Sequence, residues 1–170
     1  MKVFLDTNII LDLLLEREGW EAAARIITLQ EKGLIHLCVS VLTMVNAAYV
    51  YRKTVGEQLA VANLKYLSAF LEVLPMDEKM MDEAFFASDR DFEDAFQAVT
   101  AATAGCDAIV TRNIRDFEHL TPQGHPLPAL FTPASLLALD DNLRSLGKTL
   151  SGVTEHPELL DDKARYILSK

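Results

Sequence analysis

The amino-acid sequence predicts a three-layer α/β/α domain built on a short parallel sheet of four to five strands, and three observations lead there. Short apolar runs alternate with longer stretches of helical periodicity, the pattern that βαβ units leave in a chain. Its 170 residues, 50% apolar and 24% charged, suffice for one hydrophobic core and have the balance of a folded globular protein. Residues that cap helices stand where the periodicity changes.

Taken in order, residues 2–5 read as the first strand, followed by helices over 8–15 and 20–32, the second closed by Gly33. Residues 34–39 form the next strand. Ser40 then caps a helix over 41–53, and a further helix covers 56–71. A short strand at 72–74 precedes a helix opened by Asp77 over 77–87. The helix over 91–104 ends at Gly105 and leads into a strand at 107–110; a weaker strand at 129–131 precedes a last helix starting at Pro133. Beyond residue 139 the pattern weakens. Residues 1–139 are therefore expected to form the domain and residues 140–170 a C-terminal extension, with a short helix over 157–168.

Composition narrows the function classes. The net charge of -9 opposes association with a polyanion, so a nucleic-acid substrate would need local basic residues, bound cations or a basic partner. Cys38 and Cys106 lack the short paired spacing of a zinc knuckle or redox dithiol and read as buried apolar residues, in keeping with a reducing cytoplasm. Asp6 interrupts any signal-peptide apolar region, which predicts a cytoplasmic location. The early apolar run at 9–15 contains Asp12 and falls far short of the ~20 residues of a membrane span.

In an open parallel sheet, ligands bind outside the carboxyl ends of the strands where the strand order reverses. Asp6 follows the first strand directly; Thr111, Asn113 and Asp116 follow the strand at 107–110. The helix at 91–104 runs antiparallel to that strand, so Asp94, in its first turn, lies above the same edge. Asn46 sits about six residues, or ~9 Å, into the helix that leaves the second strand there. Carboxylates gathered in this way repel one another until a hard cation lies between them, which points to metal-assisted hydrolysis. Each residue alone has a plainer reading. Asp6, with Thr7 and Asn8, can cap the helix that follows; Asp91 and Asp94 can form a capping box favoured by the helix dipole; Asp116 can be a turn residue. Independent capping does not predict that all of them fall on one edge of the sheet.

The segments FLDTNIILDLL, SVLTMVNAAYVYRK, DFEDAFQAVTAATAGCDAIVTRNIRDF and LFTPASLLAL resemble, in this order and spacing, the signature blocks of PIN domains, over residues 1–139. The resemblance implies a Mg²⁺- or Mn²⁺-dependent ribonuclease, and chains of this size resemble the VapC-like toxin halves of bacterial toxin–antitoxin pairs. RNA would be the substrate and a small antitoxin protein the partner. By that resemblance Asp6, Asp94 and Asp116 form the acidic metal cluster. Asn46 stands where many members carry a catalytic Glu. Thr7, Asn8, Ser40, Thr111, Arg112 and Asn113 would support the site or bind substrate. Because Asn46 brings no charge, the metal site is expected to be weak and to hold a single ion without RNA.

A haloacid-dehalogenase-type phosphotransferase needs a second Asp where this chain has Asn8. There is no Gly-rich phosphate loop and no nucleophile elbow, and His36, His119, His125 and His156 show no ligand spacing. The remaining competitor is a non-catalytic PIN-like module that binds RNA or protein. Residues 41–71 also carry more apolar positions than one face of a thin sheet requires, among them Val45, Tyr49, Val50, Leu59 and Leu67. They predict either a homodimer or partner surface, or simply the domain's own core.

Overall fold

A computed structural model describes residues 1–87 and 91–151. Its elements run β1 (Lys2–Leu5), α1 (Thr7–Leu15), α2 (Trp20–Glu31), β2 (His36–Ser40), α3 (Val41–Val55), α4 (Glu57–Ser68), β3 (Glu72–Leu74), α5 (Glu78–Ala87), α6 (Phe92–Thr103), β4 (Ala108–Val110), α7 (Ile114–Phe117), β5 (Ala129–Phe131) and α8 (Pro133–Ser145). The five strands pair in parallel in the order β3-β2-β1-β4-β5.

Alternation along the strands produces the three layers. Val3 and Leu5, Leu37 and Val39, Ala108 and Val110, and Phe131 face a core completed by Ile9 and Ile10 of α1, Ala23 and Ile26 of α2, Ala47 of α3, Leu64 of α4 and Leu136 of α8. Phe4, Cys38, Ile109 and Leu130 face the other way, against Ala84 of α5, Ala95 and Ala98 of α6, and Phe117 of α7. A strand buried on both faces reads as a continuous apolar run, as residues 3–5 and Ala108–Val110 do.

The turns that aim the helices are specified locally. Gly33 and Gly105 adopt positive φ, and each closes its helix with paired backbone bonds: Gly33 N to Gln30 O with Leu34 N to Leu29 O, and Gly105 N to Ala102 O with Cys106 N to Ala101 O. Ser40 accepts from Thr43 N at 2.9 Å and Asp77 from Met80 N at 2.8 Å, as their capping positions predict.

Three features differ from the sequence expectation. The four-residue α7 is too short to show a period. The strand expected at 34–39 is shifted to His36–Ser40 because Leu34 is used in closing α2. The last helix does not end near residue 139: it continues to Ser145, and Leu139, Leu143 and Leu150 are buried in the core shared with α2. The first part of the expected extension is thus packed with the domain. The helix expected over 157–168 lies outside the described residues. None of the described helices is long and apolar enough to cross a membrane.

Candidate functional site

β1 connects toward β2 on one side of the sheet, while its other neighbour, β4, connects onward to β5. The strand order therefore reverses between β1 and β4, and their carboxyl ends open a crevice. Asp6 is the first residue beyond β1, and its N–H donates to Val110 O at 3.0 Å. Thr111 is the first residue beyond β4. Its buried hydroxyl donates to Asp6 Oδ2 at 2.9 Å and accepts from Asn113 N at 3.1 Å. Asp6 occupies the N-cap position of α1, yet its side chain makes no capping hydrogen bond. The carboxylate instead receives Thr111 and, at 3.4 Å, Asn8 Nδ2.

At α6 the division of labour runs the other way. Asp91 is the cap, accepting from Glu93 N at 3.1 Å and Asp94 N at 3.2 Å, so Asp94 is not needed for that purpose. Asp116, in the first turn of α7, accepts from Asn113 Nδ2. Asp6, Thr7, Asn8, Asn46, Asp94 and Asp116 line one cleft of about 410 Å³, together with Glu93, Asp91 and an apolar wall that includes Leu11 and Tyr49.

The electrostatics record this convergence. Burial pushes the Asp6 carboxyl above the usual carboxylate range, against the opposing hydrogen bonds from Thr111 and Asn8. Asp94 is pushed up to about 7, first by desolvation and then by the charges of Asp6, Asp91, Asp116 and Glu93. Among the described residues no ion pair reaches Asp6, Asp94, Asp116 or Glu93.

Two residues expected at the site are directed elsewhere. The Arg112 guanidinium lies 3.0 Å from Asp12 Oδ1, and the two line a separate hollow with Glu18 and Pro133. Ser40 is buried, capping α3 and meeting Thr43 Oγ1 at 3.0 Å, while Thr43 Oγ1 donates to Gln97 Oε1 at 3.2 Å. This buried polar line ties the start of α3 to α6. Conversely, Glu93 belongs to the cleft and was not singled out in the sequence. The available signal was its i,i+4 relation to Gln97, a polar residue set among the small apolar residues of α6.

The donor set suits a hard divalent cation, since Asp6, Asp94, Asp116 and Glu93 offer carboxylate oxygens and form no ion pair among the described residues. Asp6, Asp94 and Asp116 are the residues that would hold it. Among the described residues no three such side chains form a ready ligand set.

The PIN domain model matches residues 2–115, and the chain belongs to the PIN domain family, whose members include nucleases. Solved structures agree on the fold. A chain of VapBC2 from Rickettsia felis, bound to a promoter DNA fragment, superposes with a TM-score of 0.62 at 17% identity, covering 78% of this chain and 98% of that one. DNA-bound VapBC from Salmonella typhimurium gives 0.59 at 20% identity over 78% and 98%. The Mycobacterium tuberculosis VapC20, a sarcin-ricin loop cleaving toxin, gives 0.51 at 16% identity over 63% and 86%. Among curated proteins, no sequence match is found.

Proposed function

We propose that this protein is a divalent-metal-dependent endoribonuclease, the toxin component of a toxin–antitoxin pair acting in the cytoplasm. One observation carries the reading: acids from the end of β1, the first turn of α6 and the first turn of α7 line one cleft at the strand-order reversal, with no cation from the described residues to balance them. The likeness to VapC20, a sarcin-ricin loop cleaving toxin, supports the same chemistry.

Asp6, Asp94 and Asp116 would hold Mg²⁺ or Mn²⁺. A bound ion supplies a water of lowered pKa and offsets charge gathering on the phosphate. Thr111 fixes the rotamer of Asp6, Asn113 that of Asp116, and the buried Ser40–Thr43–Gln97 line sets α3 against α6. A cation in the cleft also lessens the conflict between a chain of net charge -9 and a polyanionic substrate.

The partner reading rests on surface chemistry. Val45, Tyr49 and Leu59 of the α3–α4 hairpin are each half exposed or more, and an apolar furrow between α2 and α4 is lined by Leu13, Ile27, Leu67 and Phe70. These surfaces suit a small antitoxin protein or a second copy of the chain, and the VapBC relatives are such toxin–antitoxin assemblies.

Incubation of the purified protein with RNA tests the enzyme reading. Cleavage is expected with Mn²⁺ or Mg²⁺, and its loss with chelator, with Asp6→Asn or with Asp94→Asn, each variant remaining folded. Equal cleavage in chelator overturns metal dependence. A folded, metal-loaded protein that binds RNA without cutting it favours the second reading, a non-catalytic PIN-like module.

A further inference from the structure

Asn46 carries no charge at the cleft position where a Glu would be expected, which leaves three aspartates to hold a cation. The structure shows what its amide does instead. Asn46 Nδ2 donates to Glu93 Oε1 at 2.7 Å, a bond between α3 and α6 spanning 47 positions of the sequence. The same oxygen is approached by Thr7 Oγ1 from α1 at 3.4 Å and by Gln97 Nε2 at 3.5 Å. Three helices thus direct donors at one carboxylate oxygen of a residue that lines the cleft beside Asp6, Asp94 and Asp116. Oε2 of Glu93 accepts no hydrogen bond from the described residues and retains its lone pairs.

A Glu in the first turn of a helix has a plain explanation in the helix dipole, and a side chain serving only that purpose has no need of a distant partner. Glu93 is instead held across the cleft, and its holder is the very residue whose neutrality weakens the aspartate set. An amide opposite a carboxylate is a matched pair, whereas a carboxylate at position 46 would meet Glu93 as a like charge.

We infer that Glu93 is the remaining carboxylate of the cation site and that Asn46 is a positioning residue which holds it there. The inference rests on the metal-dependent reading of the cleft. Four carboxylates then face the cation, with one supplied from α6 rather than α3. Asn46→Glu should accordingly weaken or leave unchanged the affinity for a cation, because the added charge displaces Glu93 instead of filling a gap.

Calorimetric titration of the full chain with Mn²⁺ alone tests this without recourse to activity. Glu93→Gln, nearly isosteric and at an exposed position, is expected to weaken Mn²⁺ binding by about tenfold or more, and Asn46→Ala by a comparable factor. In the Glu93→Gln background Asn46→Ala should have no further effect, because it acts through a carboxylate already gone. Circular dichroism accompanies each variant, and Glu93→Ala serves in place of Glu93→Gln if the latter misfolds. Wild-type affinity in both Glu93 variants, with binding lost in Asp6→Asn, overturns the role of Glu93 and leaves the metal reading standing. Tighter binding in Asn46→Glu overturns it equally. Failure of the unmodified protein to bind Mn²⁺, or unchanged affinity in Asp6→Asn, sinks the metal reading itself.

Discussion

The hydroxyl of Thr111, at the end of β4, donates to Asp6 Oδ2, at the end of β1, at 2.9 Å, and both residues are almost wholly buried. This bond crosses the seam where the strand order reverses and ties the ends of its two central strands together. It fixes one carboxylate oxygen and tempers the effect of burial on the Asp6 carboxyl. Thr111→Val keeps the shape and deletes the donor. The Asp6 carboxyl should then rise further, and Mn²⁺ binding should weaken more at pH 6 than at pH 8, read as calorimetric affinity at the two values. A variant with wild-type affinity throughout would show that Thr111 supports the loop to Asn113 and not Asp6.

Asp94 gives the metal-free protein a pH dependence whose sign can be stated. Its carboxyl lies at about 7 in the fold, against 3.8 as the ordinary value, chiefly through desolvation and then through the charge of Asp6. Between those values the native state binds a proton that the unfolded chain does not, so stability falls as pH rises toward about 7 and levels off above it. Asp6 is shifted in the same direction and adds to the trend. Urea midpoints in chelator should therefore be higher near pH 5.5 than near pH 8, and Asp94→Asn should flatten the difference by raising the midpoint at the alkaline end. Saturating Mn²⁺ should reverse the slope, because protons and cation compete for the same oxygens. A metal-free midpoint that climbs with pH over this range contradicts the assignment.

Much of this site was legible in the sequence, because the strand-end rule needs only element order and the residues just past each strand. Asp6, Thr111, Asn113 and Asp116 follow short apolar runs, and Asp94 stands early in a well-capped helix. What could not be read was the choice among equivalent polar neighbours. Glu93 and Asp94 occupy the same helical turn, and the tie between Glu93 and Asn46 depends on how α3 and α6 approach across the sheet. The partner of Arg112 was hidden for a similar reason: its pairing with the buried Asp12 depends on how α1 lies beside the end of β4.

That pairing has a measurable consequence. Asp12 is buried, and among the described residues its ion pair is with Arg112, whose own side chain is about half exposed. Arg112→Ala strands the carboxylate and should cost about 1–3 kcal/mol in urea unfolding. The double change Asp12→Asn with Arg112→Ala should recover most of that loss. RNA affinity, measured under conditions where the variants are fully folded, should change little. A large loss of RNA binding with stability unchanged would instead return Arg112 to the substrate.

The C-terminal boundary yields the last prediction. The segment beyond residue 139 reads as weak because Asp140, Asp141 and Asn142 interrupt the apolar run, yet Leu136, Leu139 and Leu143 keep helical spacing of three and four residues. The structure follows the leucines: Leu143 and Leu150 lie in the core with Leu29 and Ile26 of α2, and Arg25 of that helix lies 3.8 Å from Asp141. A chain ended after residue 139 removes two core side chains and the final turns of α8. It should be insoluble or melt far below the full protein, and Leu143→Ala alone should cost about 2–5 kcal/mol. A chain ended after Ser151 retains every core residue among those described and is expected to melt within a few degrees of the full protein. If the chain ended after residue 139 melts like the full protein, Leu143 and Leu150 add nothing to the core, and the domain ends where its sequence pattern fades.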